Sequence, residues 1–432
     1  SNSDVQVFVR IRPLVGEEVT RNDPEIGFTI EGDTRQTLGF EGVLRKKPKQ
    51  WSMKGMASVM EQGAVNKDVY SKCVAPLIPG ITEAGTAACA FCYGHTGSGK
   101  THTVMGYRGE AGLYSLAAQE LCASIKEKNA GLMLQIRFAE IYNGKVYDLL
   151  NEHEECTVRQ DKDGKVHIRS ATVMHDDGKV TVNPLHSLNT DTQEGLDEIV
   201  ALGMKMRKVG SSPVHDESSR SHALLYLEIV NRDLIALREA RMLQEGEVTR
   251  IGKIHDDKYI LEMGKCYHQD ENGKYHQLSA EEAGADMEGV AVLLAEREAA
   301  EAVLADIVAQ EQALKEASAA NGVCVGGTLV LIDLAGSEYG ATAGVKVTPK
   351  QRREGQEINK TLLALKECIR GMNSGAAHIP FRNSKLTMIL KQHLQAKDSK
   401  TVMVTNISPS AEHLQKTVNT LQYAALVAEA SK

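Results

Sequence analysis

This chain contains no uninterrupted apolar run long enough to span a bilayer and no cleavable leader, so a soluble, cytoplasmic protein is expected. Its first residues, Ser1-Asn2, lack an initiating methionine and are expected to be a remnant of expression, with the native chain continuing beyond either end. Excess positive charge is also missing. Lys and Arg number 50 against 57 Asp and Glu, so a formal charge of −7 attracts no polyanion and nucleic acid is not an expected partner. An acidic partner must instead meet a local basic patch. Among eight cysteines only Cys89 and Cys92 are closely spaced, and no second pair completes a metal site. Their setting, AACAFCYG, reads as a buried strand carrying reduced thiols. Internal repeats and low-complexity linkers are not found either.

What the chain does carry is three short stretches that belong together. GHTGSGKT, Gly94–Thr101, is a complete G-x-x-x-x-G-K-[ST] phosphate-binding loop, preceded by a strand-like run and followed by a helix-like one. Gly94, Gly97 and Gly99 let its backbone, with His95, Thr96 and Ser98, wrap phosphates and aim N–H groups at them. Lys100 is placed to bridge β- and γ-phosphate oxygens and Thr101 to give a hydroxyl to Mg²⁺. SSRSH, Ser218–His222, offers Ser219 to a metal ligand and Ser218 to the attacking water. DLAGSE, Asp333–Glu338, ends an apolar strand. There Asp333 is placed to hold a metal-bound water and Gly336 to turn its N–H to a γ-phosphate, with Glu338 facing Arg220 to orient and deprotonate water. A base-reading N/T-K-x-D segment is missing, which argues against a GTPase.

Strands are expected at VQVFVRIRP, GTAACAFCYG, HALLYLEIV and GTLVLIDLAG, a strand and turn in LMLQIRFAEIYNGKVYDLL, and helices at Gln356–Met372 and near Thr417–Ala428. The pattern is α/β, a P-loop NTPase-type central mixed, mostly parallel sheet with helices on both faces. Between two of the strands, about residues 231–322, lies a segment with about 19 acidic and about 10 basic residues. A hairpin in KYILEMGKCYHQDENGKYHQL turning at Asn272-Gly273, and a long helix following a Ser279–Glu282 capping box, are expected there, projecting from the core. It reads as a surface elaboration, with a partner-binding arm as the alternative. The rest, about 340 residues, suits one domain, so residues 1–432 are expected to form a single domain interrupted by that insertion.

The site motifs, together with RIRP, KTHTVMG, EIYNGKVYDLL, EINKTLLALKECI, HIPFRNSKLT and SKTVMVTNISPS, resemble the kinesin motor domain in order and spacing over nearly everything outside the insertion. The resemblance implies a microtubule-dependent ATPase of the cytoskeleton, binding ATP or ADP with Mg²⁺, whose adenine lies against Arg10, Pro13 and His102. It also implies that the helix after DLAGSE and the HIPFRNSKLT segment meet tubulin. Lys360, Lys366, Arg370, Arg382 and Lys385 put positive charge there, and Arg159, Lys162 and Lys165 form another basic loop. Lys366-Glu367-Cys368 is similar to the triplet of the internal-motor, microtubule-depolymerising kinesins. That class carries a Lys-Val-Asp tripeptide before the phosphate loop, and this chain has only the basic LRKKPKQW, Leu44–Trp51, in its place.

His215 stands where the family has asparagine, Lys416 where an acidic residue is common, and no arginine follows Tyr423-Ala424 or the DLAGSE motif. None of these is a phosphate, metal or water ligand. The expected function is a motor domain coupling Mg-ATP hydrolysis to microtubule depolymerisation or movement. The alternative is a divergent filament- or partner-binding relative with weak ATPase activity.

Overall fold

A computed structural model describes residues 5–44, 46–128, 131–161, 164–175, 180–209, 219–269, 274–337, 348–395 and 399–430. The chain forms two compact units, one of Ser1–Ser170, Pro184–Val230 and Ser318–Lys432, the other of Ala171–Asn183 and Asn231–Ala317.

The larger unit is built on a mixed sheet. Its strands include β1 (Val5–Ile11), β2 (Ser58–Met60), β3 (Ala87–Tyr93), β4 (Met133–Tyr142), β5 (Lys145–Asp148), β6 (Glu154–Gln160), β7 (His222–Val230), β8 (Thr328–Asp333) and β9 (Lys400–Ile407). They lie in the order β6-β5-β4-β7-β8-β3-β9-β1-β2. Pairing is parallel from β8 through β3, β9 and β1 to β2, and antiparallel from β8 outward through β7, β4, β5 and β6. β7 is buried at every position, as an apolar strand covered on both faces must be. Cys89, Phe91 and Tyr93 of β3 join a core cluster with Ile358, Leu362, Leu365 and Ile369, while Cys92 is buried at the alternate positions of the same strand. Burial pushes the Cys89 thiol up to about 12. The register brings Cys92 and Asp333 side by side where parallel β3 and β8 end. Ligand crevices of open α/β sheets form at such carboxyl ends.

The helix Pro349–Asn373 begins a full two turns before its apolar pattern does. Thr348 caps it in a box with Gln351, and Pro349 sits in the first turn. Its buried stripe packs with the helices Lys385–Gln395 and Leu414–Ala430. The turn between β4 and β5 has Asn143 and Gly144 at φ 52° and 77°, as a two-residue hairpin with that pair requires. The Leu44–Trp51 stretch straddles another hairpin, where Gln36–Leu44 pairs with Lys47–Met56 and Lys47 and Lys49 are exposed. No described helix is long and apolar enough to cross a membrane.

The smaller unit contains two 34-residue helices, Arg232–Lys265 and Met287–Ala320, rather than one. They run antiparallel: Gln244 Nε2 donates to the Ala300 carbonyl at 2.9 Å, and Lys258 pairs with Asp286 at 2.6 Å. Glu311 pairs with Arg238 and Arg241 of the facing helix and with Lys315, which together hold its carboxyl below the usual range despite burial. The hairpin between the helices is only Tyr267–Gln269 against Tyr275–Gln277, because KYILEMGK belongs to the first helix; Asn272-Gly273 lies outside the described residues. Ser279 and Glu282 do bond reciprocally, but they stabilise a turn, and the helix begins at Met287 behind Asp286, which accepts from the Gly289 N–H at 2.8 Å.

Candidate functional site

Three glycines of the phosphate loop, Gly94, Gly97 and Gly99, hold φ of 155°, 81° and 99°. At Gly94 a Cβ would lie 2.3 Å from the Asn406 carbonyl oxygen, so the crossing over β9 admits no side chain. Lys100 is buried and its ammonium donates to the carbonyls of Gly94 and His95, each at 3.0 Å. His95 is fully buried, with burial pushing it down to about 3, and its Nδ1 lies 2.8 Å from the Thr96 carbonyl. A neutral ring whose Nδ1 donates there is the form that fits, so the His95 side chain is a wall of the loop and not a phosphate ligand.

Asp333, at the end of β8, is fully buried. Its Oδ2 accepts from the Thr101 hydroxyl at 3.1 Å and from Arg207 Nη1 at 3.2 Å, and its Oδ1 has no hydrogen-bond partner among the described residues. Arg207 also donates to the Ser221 carbonyl at 2.9 Å and hydroxyl at 3.1 Å. Sequence reading missed Arg207, although a signal existed: Leu196, Val200, Gly203 and Arg207 share one buried helical stripe, an unusual place for a guanidinium.

The two switch-like motifs touch each other and the loop. The Gly336 N–H donates to the Ser219 carbonyl at 3.0 Å, and Ser337 N–H to the Gly94 carbonyl at 3.3 Å. The Ala335 N–H donates to His222 Nδ1 at 3.0 Å; burial, then nearby Arg207, push His222 down to about 3 and keep it the neutral acceptor. Arg220 pairs at 2.7 Å with Glu354 of the helix Pro349–Asn373, whose other oxygen accepts from the Tyr142 hydroxyl at 2.5 Å. The expected partner Glu338, and Ser218, lie outside the described residues.

On the base side, Arg10 is turned inward and donates to Asn66, to the Thr103 hydroxyl at 2.7 Å and to the Ala64 carbonyl at 3.1 Å. Pro13 is exposed, and His102 sits 3.3 Å from Glu110 with its ring partly open. The second arginine of RIRP, Arg12, reaches the loop instead, donating to the Gly97 carbonyl at 2.8 Å.

Of the residues expected at a filament face, Lys360, Glu367, Arg370, Arg382, Arg159 and Lys165 are exposed, Lys366 and Lys385 are half-buried, and Lys162 lies outside the described residues. Cys368 is corrected: it is fully buried in the core, its thiol pushed up to about 12 by burial, so it cannot touch a partner. Burial also lowers Lys366, with Arg370 adding to the effect. Arg382 donates to Gln160 Oε1 at 3.1 and 2.8 Å, joining the HIPFRNSKLT segment to the end of β6. The helix stripe also exposes Arg352, Arg353 and Leu363, which sequence reading did not single out.

A family model described as the Kinesin motor domain matches residues 10–252 and 302–430, passing over the hairpin-bearing part of the smaller unit. Kinesin-like protein KIF24 of Mus musculus is 30% identical over 434 residues, covering 99% of this chain and 24% of that protein. KIN-13A of Oryza sativa subsp. japonica is 30% identical over 434 residues, covering 99% and 41%. The chain thus spans about a quarter to two fifths of these relatives. A solved fast kinesin shares the fold at a TM-score of 0.64 and 22% identity, with 99% of this chain and 92% of that one covered. The chain belongs to the kinesin motor-domain family.

Proposed function

We propose that this chain is a microtubule-binding, Mg-ATP-hydrolysing motor domain whose turnover drives depolymerisation of microtubule ends. One observation carries the proposal: the phosphate loop, the Thr101–Asp333 pair and the Ser219–Gly336 contact meet at the carboxyl ends of β3 and β8. The residues fit a Mg²⁺ ion, because Asp333 is buried with an unpartnered oxygen beside a hydroxyl. Thr101, Ser219 and Asp333 would hold the ion, which would neutralise charge on the phosphate oxygens.

The chain's own residues do the rest. Lys100 exchanges its two loop carbonyls for phosphate oxygens of ATP, and Pro13 and His102 flank the adenine. A γ-phosphate competes with the Ser219 carbonyl for the Gly336 N–H, shifting the strand end that leads toward the helix Pro349–Asn373. Arg220 grips that same helix through Glu354, so its exchange from Glu354 to Glu338 would couple water activation to movement of the exposed basic stripe. Ser218 and Glu338 would orient the water and take its proton. The stripe, with Arg352, Arg353, Lys360 and Arg370, suits an acidic filament surface.

The test images stabilised, labelled microtubules with protein and ATP. Ends that shorten only with hydrolysable ATP support the proposal. Filaments that keep their length while gliding would replace depolymerisation with movement, and bound, static filaments with no phosphate release would refute the motor reading.

A further inference from the structure

The second arginine of RIRP carries a role outside the motifs described so far. Arg12 is buried and uses its planar fork on three partners at once. Nε donates to the Gly97 carbonyl at 2.8 Å, while Nη1 and Nη2 form a bidentate pair with Glu18 at 2.6 Å each. Nη1 also reaches the Pro13 carbonyl at 2.7 Å. The arginine stem lies where a Cβ on Gly99 would come within 3.7 Å of Cδ, so it covers the rim of the loop from Gly97 to Gly99.

Glu18 is itself over-determined. It accepts from the Val15 N–H at 3.0 Å, from the Ser408 hydroxyl at 3.4 Å, and lies 3.3 Å from His413 Nδ1. These contacts fix the carboxylate, and the carboxylate fixes the guanidinium, at the one height from which Nε meets Gly97. The need for such a brace follows from the loop. Gly97 has no side chain, sits at φ 81°, and its peptide can turn at little cost. A Gly97 carbonyl turned into the cradle would present partial negative charge to phosphate oxygens. Arg12 draws that carbonyl outward and neutralises it.

We propose that Arg12, braced by Glu18, is a positioning residue that holds the phosphate loop in its anion-accepting form and so sets nucleotide affinity, with little part in the chemical step. This rests on the nucleotide reading above. Because ADP and ATP both need the cradle, both should weaken together.

The experiment measures ATP and ADP affinity, KM and kcat, and thermal stability for wild type, Arg12→Gln, Arg12→Lys and the swap Arg12→Glu with Glu18→Arg. Losing one charge-assisted hydrogen bond corresponds to about a tenfold loss of affinity for both nucleotides in Arg12→Gln, with kcat changed by about twofold or less. Arg12→Lys should recover part of it, since an ammonium can reach one acceptor without the fork. The swap separates support of the fold from positioning: it restores an ion pair and therefore stability, but removes the donor from Gly97, so affinity should stay low. Affinity that returns with stability in the swap overturns the proposal, as does Arg12→Gln with unchanged affinity or with kcat falling as far as KM rises. Wild-type protein that binds neither nucleotide would overturn the nucleotide reading itself, and this inference with it.

Discussion

Replacing Gly336 by alanine adds one methyl group at the point where the switch strand meets the phosphate loop. The added Cβ would lie 2.2 Å from Thr96 Oγ1 and 2.8 Å from both Thr96 Cα and N. The hydroxyl can rotate away; the backbone atoms cannot. Restoring ordinary contact at 3.4 Å separates loop and strand by about 0.6 Å, measured from the 2.8 Å approach. Overpacking of this kind costs about 1–3 kcal/mol. Spent on the closed arrangement of the site, that is a loss of about 5- to 150-fold in its population. The Gly336 N–H must also leave the Ser219 carbonyl, to which it donates now. Phosphate release in the presence of microtubules should therefore fall at least about fivefold, while thermal unfolding shifts by only a few degrees. A Gly336→Ala protein that turns over ATP within twofold of wild type would refute the claim that loop and switch work in contact.

Other predictions follow from the same geometry. Arg207→Met leaves the buried Asp333 carboxylate with the Thr101 hydroxyl and no charged partner, and should cost about 3–5 kcal/mol in denaturant unfolding, partly recovered by Arg207→Lys. Stability should fall with acid in two stages. His95 and His222 sit near 3, below their ordinary 6.5, so the unfolded chain binds more protons and stability drops as pH falls below about 6.5. Glu18, held near 2 against its ordinary 4.5 chiefly by the Arg12 hydrogen bonds, contributes stability that is present above about 4.5 and lost toward 2; Glu18→Gln should flatten that second stage in denaturant titrations. All eight cysteines are buried, so the native protein should resist a thiol reagent at neutral pH and react fully after unfolding; rapid labelling of Cys368 in the native state would contradict its core position. Arg352→Glu with Arg353→Glu should weaken microtubule co-sedimentation and lessen its salt dependence.

The phosphate loop and the strand-terminal Asp333 were legible because their chemistry depends on residues close in sequence and on an unmistakable apolar strand beside them. Arg220 was legible as a charge but not in its partner, since Glu354 is far along the chain and is delivered by the helix that Thr348 caps. Arg10 and Arg12 lie two residues apart, so their side chains share one face and both are buried, but nothing in RIRP says that Arg12 reaches the loop at Gly97 or that Glu18 braces it, which is visible only in three dimensions. The helix Arg232–Lys265 is not legible in the sequence, because it buries just Leu234, Gly246, Ile251 and Glu262 and shows little apolar periodicity. Cys368 looked like surface in a charged triplet, yet it lies on the buried stripe with Leu365 and Ile369.

The most direct measurement is the rate of phosphate release from ATP with and without microtubules, for wild type and for Asp333→Asn. The account predicts a wild-type rate that rises about tenfold or more on adding microtubules, and an Asp333→Asn rate that stays near background in both conditions. Equal rates for the two proteins, or a wild-type rate indifferent to microtubules, would contradict it.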